Sequence, residues 1–260
     1  GMDILTYPGV VFDVSERTEN ETFALLDLDG DGISEKISLH PADTAGGYSP
    51  ERYTSYVNLR LREMNCYDLS NAILEVNGEA QEVSGSTRYM DNAIYAFSPD
   101  GEQILIALHD AAGEDADSLT RLYHYENGKL VESGQIKQDI RCIQISHGQM
   151  VVCEPYNVMV IDSVERIYWV TKDGQLREIP QEEYWLSGYA EVELLQDMTL
   201  YRTPGGEVFV QPAESRMRMI KLDATQNWIC LQAEDNTQGW FRLGSINYDD
   251  YFHMSLNLPY

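Results

Sequence analysis

Residues 27–35 read Asp27-Leu28-Asp29-Gly30-Asp31-Gly32-Ile33-Ser34-Glu35. Counted from Asp27, carboxylates fall at positions 1, 3, 5 and 9, the carbonyl of Ile33 at position 7 and glycines at positions 4 and 6. Oxygen donors at this stagger suit a hard divalent cation, and the glycines let the chain turn tightly enough to bring successive side chains together. The candidate ligands are therefore Asp27, Asp29, Asp31 and Glu35 through their carboxylates and Ile33 through its main-chain oxygen. So many carboxylates in one loop favour Ca²⁺ over the smaller, more reluctantly dehydrated Mg²⁺.

The flanks of this loop decide the fold. An EF-hand needs a bidentate Glu at position 12, where Ser38 stands, and needs helices on either side. Thr22–Leu26 and Lys36–His40 instead alternate with a period of two, which predicts two strands joined by the acidic turn.

Outward from the loop, Gly-centred turns recur between short stretches rich in β-branched and aromatic residues. One series is Gly32, Gly101 and Gly148, and the other Gly78, Gly128 and Gly174. The spacing predicts three copies of a four-stranded antiparallel unit of about 45 residues, as in a propeller blade. The second copy takes 92–98, 103–109, 119–125 and 129–136, and the third 141–146, 149–154, 158–170 and 175–179. The first copy is lengthened by a Pro- and Gly-bearing insertion over 41–50. Ile104–Leu108 is apolar on both faces, as an inner strand is, whereas Leu119–Tyr125 mixes in polar residues like an outer one. The predicted class is all-β, a propeller-like array of three or more blades, with a β-sandwich or a stack of meanders as the alternative. Three blades leave open edges, for which 10–14, the alternation Phe252, Met254, Leu256, Leu258, or a second copy are the candidate covers.

The acidic stretch resembles the FG-GAP and VCBS-type repeats of integrin-like propellers, in which a DxDGDGxxD loop turns the first strand of a blade into the second. Here Glu35 takes the ninth position, and Gly101 and Gly148 lie at the equivalent turns without the Asp series. The resemblance implies one calcium-bearing blade and an extracellular module.

Composition changes after Tyr189, and the expected domains are 1–187 and 188–260. Asp197–Gly206, Asn227–Leu231 and Gly239–Leu243 resemble, in order and spacing, the bacterial Src-homology-3-like domain, a small barrel in which the second and third of these segments pair. Members of that family bind peptidoglycan or cell-surface ligands, or dock onto a neighbouring domain. Tyr201, Trp228, Trp240 and Phe241 are the candidate ligand-binding aromatics, since flat rings offer large contact area at low entropic cost; core packing is the alternative.

The remaining composition excludes more than it assigns. With 18 basic and 43 acidic residues the formal charge is −25, which repels phosphate backbones and anionic bilayers, so no nucleic-acid partner is expected. No apolar run approaches the ~20 residues of a membrane span. Gly1 before Met2 reads as a tag scar, and the expectation is a trimmed segment of an exported bacterial protein whose leader has been removed. Cys66, Cys142, Cys153 and Cys230 show no CxxC spacing and are expected as free thiols, with a Cys142–Cys153 bridge across a hairpin as the geometric alternative. The five histidines form no zinc pair, and no nucleophile or phosphate-loop signature is present, so no enzyme is expected. The acidic stretch 110–117 lacks alternating ligand spacing and reads as a solvated loop. The functional expectation is an extracellular or cell-envelope Ca²⁺-binding adaptor for a cell-wall component, glycan or surface protein. A carbohydrate-active or sensor accessory protein and a purely structural surface protein are the alternatives.

Overall fold

The computed structural model describes residues 3–17, 21–41, 66–67, 72–82, 90–91, 93–111, 118–158, 161–187 and 191–254. Strands dominate, and every registered pairing among them is antiparallel. The one α-helix among the described residues is the single turn Tyr248–Tyr251. No helix is long and apolar enough to cross a membrane among the described residues.

The chain forms two compact units, one of residues 1–152 with 168–178 and the other of 153–167 with 179–260. The sequence reading draws a single cut after residue 187. The observed division is interleaved because Gln149–Val158 and Ile161–Val170 are long strands that leave one unit and return to it.

In the first unit, a five-stranded sheet runs in the order Glu16–Arg17, Thr22–Leu26, Glu35–Pro41, Ala72–Val76, Glu79–Glu82. A second sheet runs Phe12–Asp13, Tyr95–Phe97, Leu105–Ala111, Ser118–Glu126, Lys129–Ile136. The Val10–Val14 stretch thus does cover an edge, Phe12 pairing with Ala96. The predicted glycine turns form, each with the glycine in the left-handed region. At three of them Asn77, Asn127 and His147 precede the glycine at φ 51°, as a two-residue hairpin turn whose twist matches its strands requires.

The run Leu105–Leu108 at the start of Leu105–Ala111 shows why an inner strand is apolar on both faces. Ile106 and Leu108 face a core shared with Ala24, Leu26, Ile37, Leu39, Leu74 and Val76. The alternate residues Leu105 and Ala107 face another, with Leu122, Ile136, Met150 and Val152. A polar side chain at any of these positions would be desolvated without a partner. Burying each Leu or Ile contributes roughly 1.5–3 kcal/mol.

Three expectations are corrected. Ser118–Glu126 is not a half-exposed outer strand, because Thr120 through His124 are all buried. Two of its polar residues meet partners on the neighbouring strand, His124 Nδ1 lying 3.0 Å from Ser133 Oγ and Arg121 3.9 Å from Glu132. The third copy does not break at residues 155–157: its long strands are Gln149–Val158 and Ile161–Val170. Phe252–Met254 pairs with Glu191–Leu194 within the second unit rather than with the first unit's sheets. Cys142, Cys153 and Cys230 form no disulfide. The 42–50 insertion, 112–117 of the acidic stretch and the apolar alternation beyond Met254 lie outside the described residues.

In the second unit the hydrogen-bonded path runs Glu183–Ser187, Arg216–Asp223, Trp228–Ala233, Gln238–Arg242, Met198–Tyr201, Val208–Gln211, where it ends without closing a barrel among the described residues. Trp228–Ala233 does pair with Gln238–Arg242, Cys230 standing opposite Trp240. The core is Leu194, Met198, Leu200, Met217, Met219, Leu222, Ile229, Leu231 and Phe241, with Tyr184 and Val164.

Candidate metal centre

The acidic turn joins Thr22–Leu26 to Glu35–Pro41, with Leu26 registered opposite Glu35. This hairpin brings position 9 of the loop back beside position 1. Glu35 is only 5% exposed, and its Oε2 accepts the Leu28 N–H at 2.8 Å. Asp27 accepts from Gly30 N at 2.8 Å through one oxygen and from Gly32 N at 3.0 Å through the other. Asp29 accepts from Asp31 N at 3.2 Å, and Asp31 from Ile33 N at 2.7 Å. Each aspartate therefore braces the backbone a few residues on, as Asp does in tight turns. Gly30 and Gly32 sit at φ +77° and +86°, which explains the residue type at both positions.

One carboxylate oxygen each from Asp27, Asp29 and Glu35 lies within 4.8 Å of the others. Asp31 stands outside that group, and the Ile33 side chain is 69% exposed, leaving it only a main-chain role at the site. Three carboxylates this close repel one another, and the N–H bonds they accept leave lone pairs over on each oxygen. The donor set is all oxygen, so the residues fit a hard cation such as Ca²⁺ and do not fit a thiol- or imidazole-seeking metal.

Tyr125, on Ser118–Glu126, joins this site in space although ninety residues separate them in the chain. Desolvation, and then the charges of Glu35, Asp29 and Asp31, raise its phenol above the ordinary value of 10.0. No spacing rule connects Tyr125 to the loop, so sequence reasoning missed it.

The aromatic set of the second unit divides. Phe241 is 2% and Trp240 7% exposed, so neither opens to a ligand. Phe241 packs against Phe252 and Tyr248 in the core, and Trp240 lies beneath the ammonium of Lys221, 5.6 Å from its ring centroid. Tyr201 and Trp228 remain half-buried, in edge contact with centroids 5.1 Å apart. Trp185, absent from the sequence-based set, is 50% exposed and holds the same Lys221 ammonium 5.5 Å from its ring. The only sequence signal for it was the Glu183–Ser187 alternation, which places Tyr184 inward and Trp185 outward.

No protein-family model, curated protein or solved structure matches this chain.

Proposed function

We propose that the chain is a calcium-binding, non-enzymatic adaptor that acts outside the cell, with the first unit as a metal-stiffened scaffold and the second as the attachment module. The observation that carries this reading is the convergence of Asp27, Asp29 and Glu35 at a strand-to-strand turn. On this reading the consecutive antiparallel meanders of the first unit are blades of an FG-GAP or VCBS-type array, and the second unit is a Src-homology-3-like module. Asp27, Asp29 and Glu35 hold Ca²⁺, Asp31 and the Ile33 carbonyl complete its shell, and the ion offsets the repulsion the empty carboxylates exert. Half-buried Tyr201 and Trp228 support contact with a cell-wall component, glycan or surface protein.

Thermal unfolding in millimolar Ca²⁺, in Mg²⁺ and in chelator tests the metal part. A midpoint raised by Ca²⁺ alone, and not raised in Asp27→Asn, supports the reading. Equal midpoints in all three solutions contradict it. A pull-down on purified cell wall in calcium, with Trp228→Ala as comparison, tests attachment.

A further inference from the structure

We propose that a groove on the second unit is a binding site for a small zwitterionic ligand, a short peptide with both termini free. This site is separate from the acidic turn and does not depend on the calcium reading. The groove has a volume of about 650 Å³, within the range of small-ligand sites, and its charged lining is Glu191, Glu193, Arg216, Arg218 and Glu234.

Its charges are placed by strand register. Glu191 stands opposite Arg218, and Glu193 opposite Arg216, on one face of the paired strands Glu191–Leu194 and Arg216–Asp223. Directly opposed opposite charges on adjacent strands ordinarily pair. Glu191 and Arg218 do so, at 3.0 Å. Glu193 and Arg216 do not: among the described residues neither side chain makes a hydrogen bond or ion pair, and neither does Glu234, which lines the same groove. One guanidinium and two carboxylates are thus left over along the wall of a concavity.

The balance of charge selects the ligand. Among the described residues, three carboxylates against two guanidiniums leave the lining one negative charge in excess, inside a chain of −25. A simple anion meets Arg216 only against that field, and a simple cation leaves Arg216 unsatisfied. A ligand with a carboxylate for the planar fork of Arg216 and an ammonium for Glu193 opposite it satisfies both at once.

The test is titration of the full chain, followed by amide chemical shifts, with four probes: trialanine, its C-terminal amide, its N-acetyl derivative and acetate. Trialanine is expected to saturate with shifts at 191–193, 216–218 and 232–236, and removal of either terminal charge to weaken it about tenfold. Arg216→Ala should weaken trialanine about tenfold but leave the amide unchanged, and Glu193→Gln should do the same for trialanine and the N-acetyl peptide respectively. No saturable shift with trialanine, or an amide or acetate that binds as tightly, overturns the proposal. Should either variant unfold, the ranking of the four probes on the unaltered chain still decides.

Discussion

Gln81 closes a two-bond clamp on the backbone of Leu130: its Nε2 donates to the Leu130 carbonyl at 3.0 Å and its Oε1 accepts the Leu130 N–H at 3.2 Å. Gln81 lies on Glu79–Glu82, an end strand of the first sheet, and Leu130 on Lys129–Ile136, an end strand of the second. The side-chain amide offers one donor and one acceptor in the spacing of a peptide group, so it continues the ladder where strands do not pair.

Truncating that amide should expose the clamp's worth. Gln81→Ala leaves both Leu130 groups unmet at a partly buried seam, and a loss of about 1–3 kcal/mol in urea unfolding is expected. A loss near zero would mean that water replaces the amide without cost.

Gly174 is the most constrained of the turn glycines. A Cβ there would stand 2.3 Å from Cγ of His124, whose ring is buried and held by Ser133, and φ is +79°. Gly174→Ala should therefore cost more than ~2 kcal/mol, combining overpacking with a strained backbone. Gly128→Ala, at φ +83° with nothing within 4 Å, carries only the backbone part, ~1–2 kcal/mol. Equal losses in the two variants would contradict the packing argument.

Asp223 caps the turn that leads into Trp228. Burial raises its carboxyl, but hydrogen bonds from the Thr225 hydroxyl and the N–H groups of Trp228, Thr225 and Asn227 outweigh it and hold the group below the ordinary 3.8. A lowered folded value means stability that is present above pH 3.8 and lost as pH falls through the folded value. The stability gap between the unaltered chain and Asp223→Asn should accordingly be widest near neutral pH and narrow below pH 3.8. A gap that widens on acidification would reverse the assigned sign.

Much of this architecture was legible because its signals are local. Paired glycine turns marked the hairpins, alternation over Thr22–Leu26 and Lys36–His40 marked the strands around the acidic loop, and the run Leu105–Leu108 marked a strand buried on both faces. What escaped depends on contacts distant in the chain. Polar Thr120, Arg121 and His124 look exposed in sequence but are buried, because their partners come from the next strand or beyond it. The same reason hid the division of the aromatics: Trp240 and Trp185 face one lysine from two different strands, and only the register through Lys221 shows it. At the candidate metal site the loop's own carboxylates were readable, whereas Tyr125 was not.

Tyr125 supplies an optical and magnetic reporter of that loop. Its raised phenol adds stability that is present below pH 10.0 and is lost as pH rises through the folded value. Filling the loop with Ca²⁺ should cancel the share due to Glu35, Asp29 and Asp31 and bring the phenol down toward its ordinary value. Tyrosine ¹³Cζ shifts, assigned with Tyr125→Phe, measure this; an unchanged titration with saturating calcium would place no ion near those carboxylates.

Titration calorimetry of Ca²⁺ into the chelator-treated chain and into an Asp27→Asn, Asp29→Asn variant decides whether the turn between Leu26 and Glu35 binds calcium as proposed. One site with a dissociation constant of ~10⁻⁴–10⁻³ M is expected in the chain and none in the variant. Absence of saturable heat in the unaltered chain, or identical isotherms for the two proteins, would contradict it.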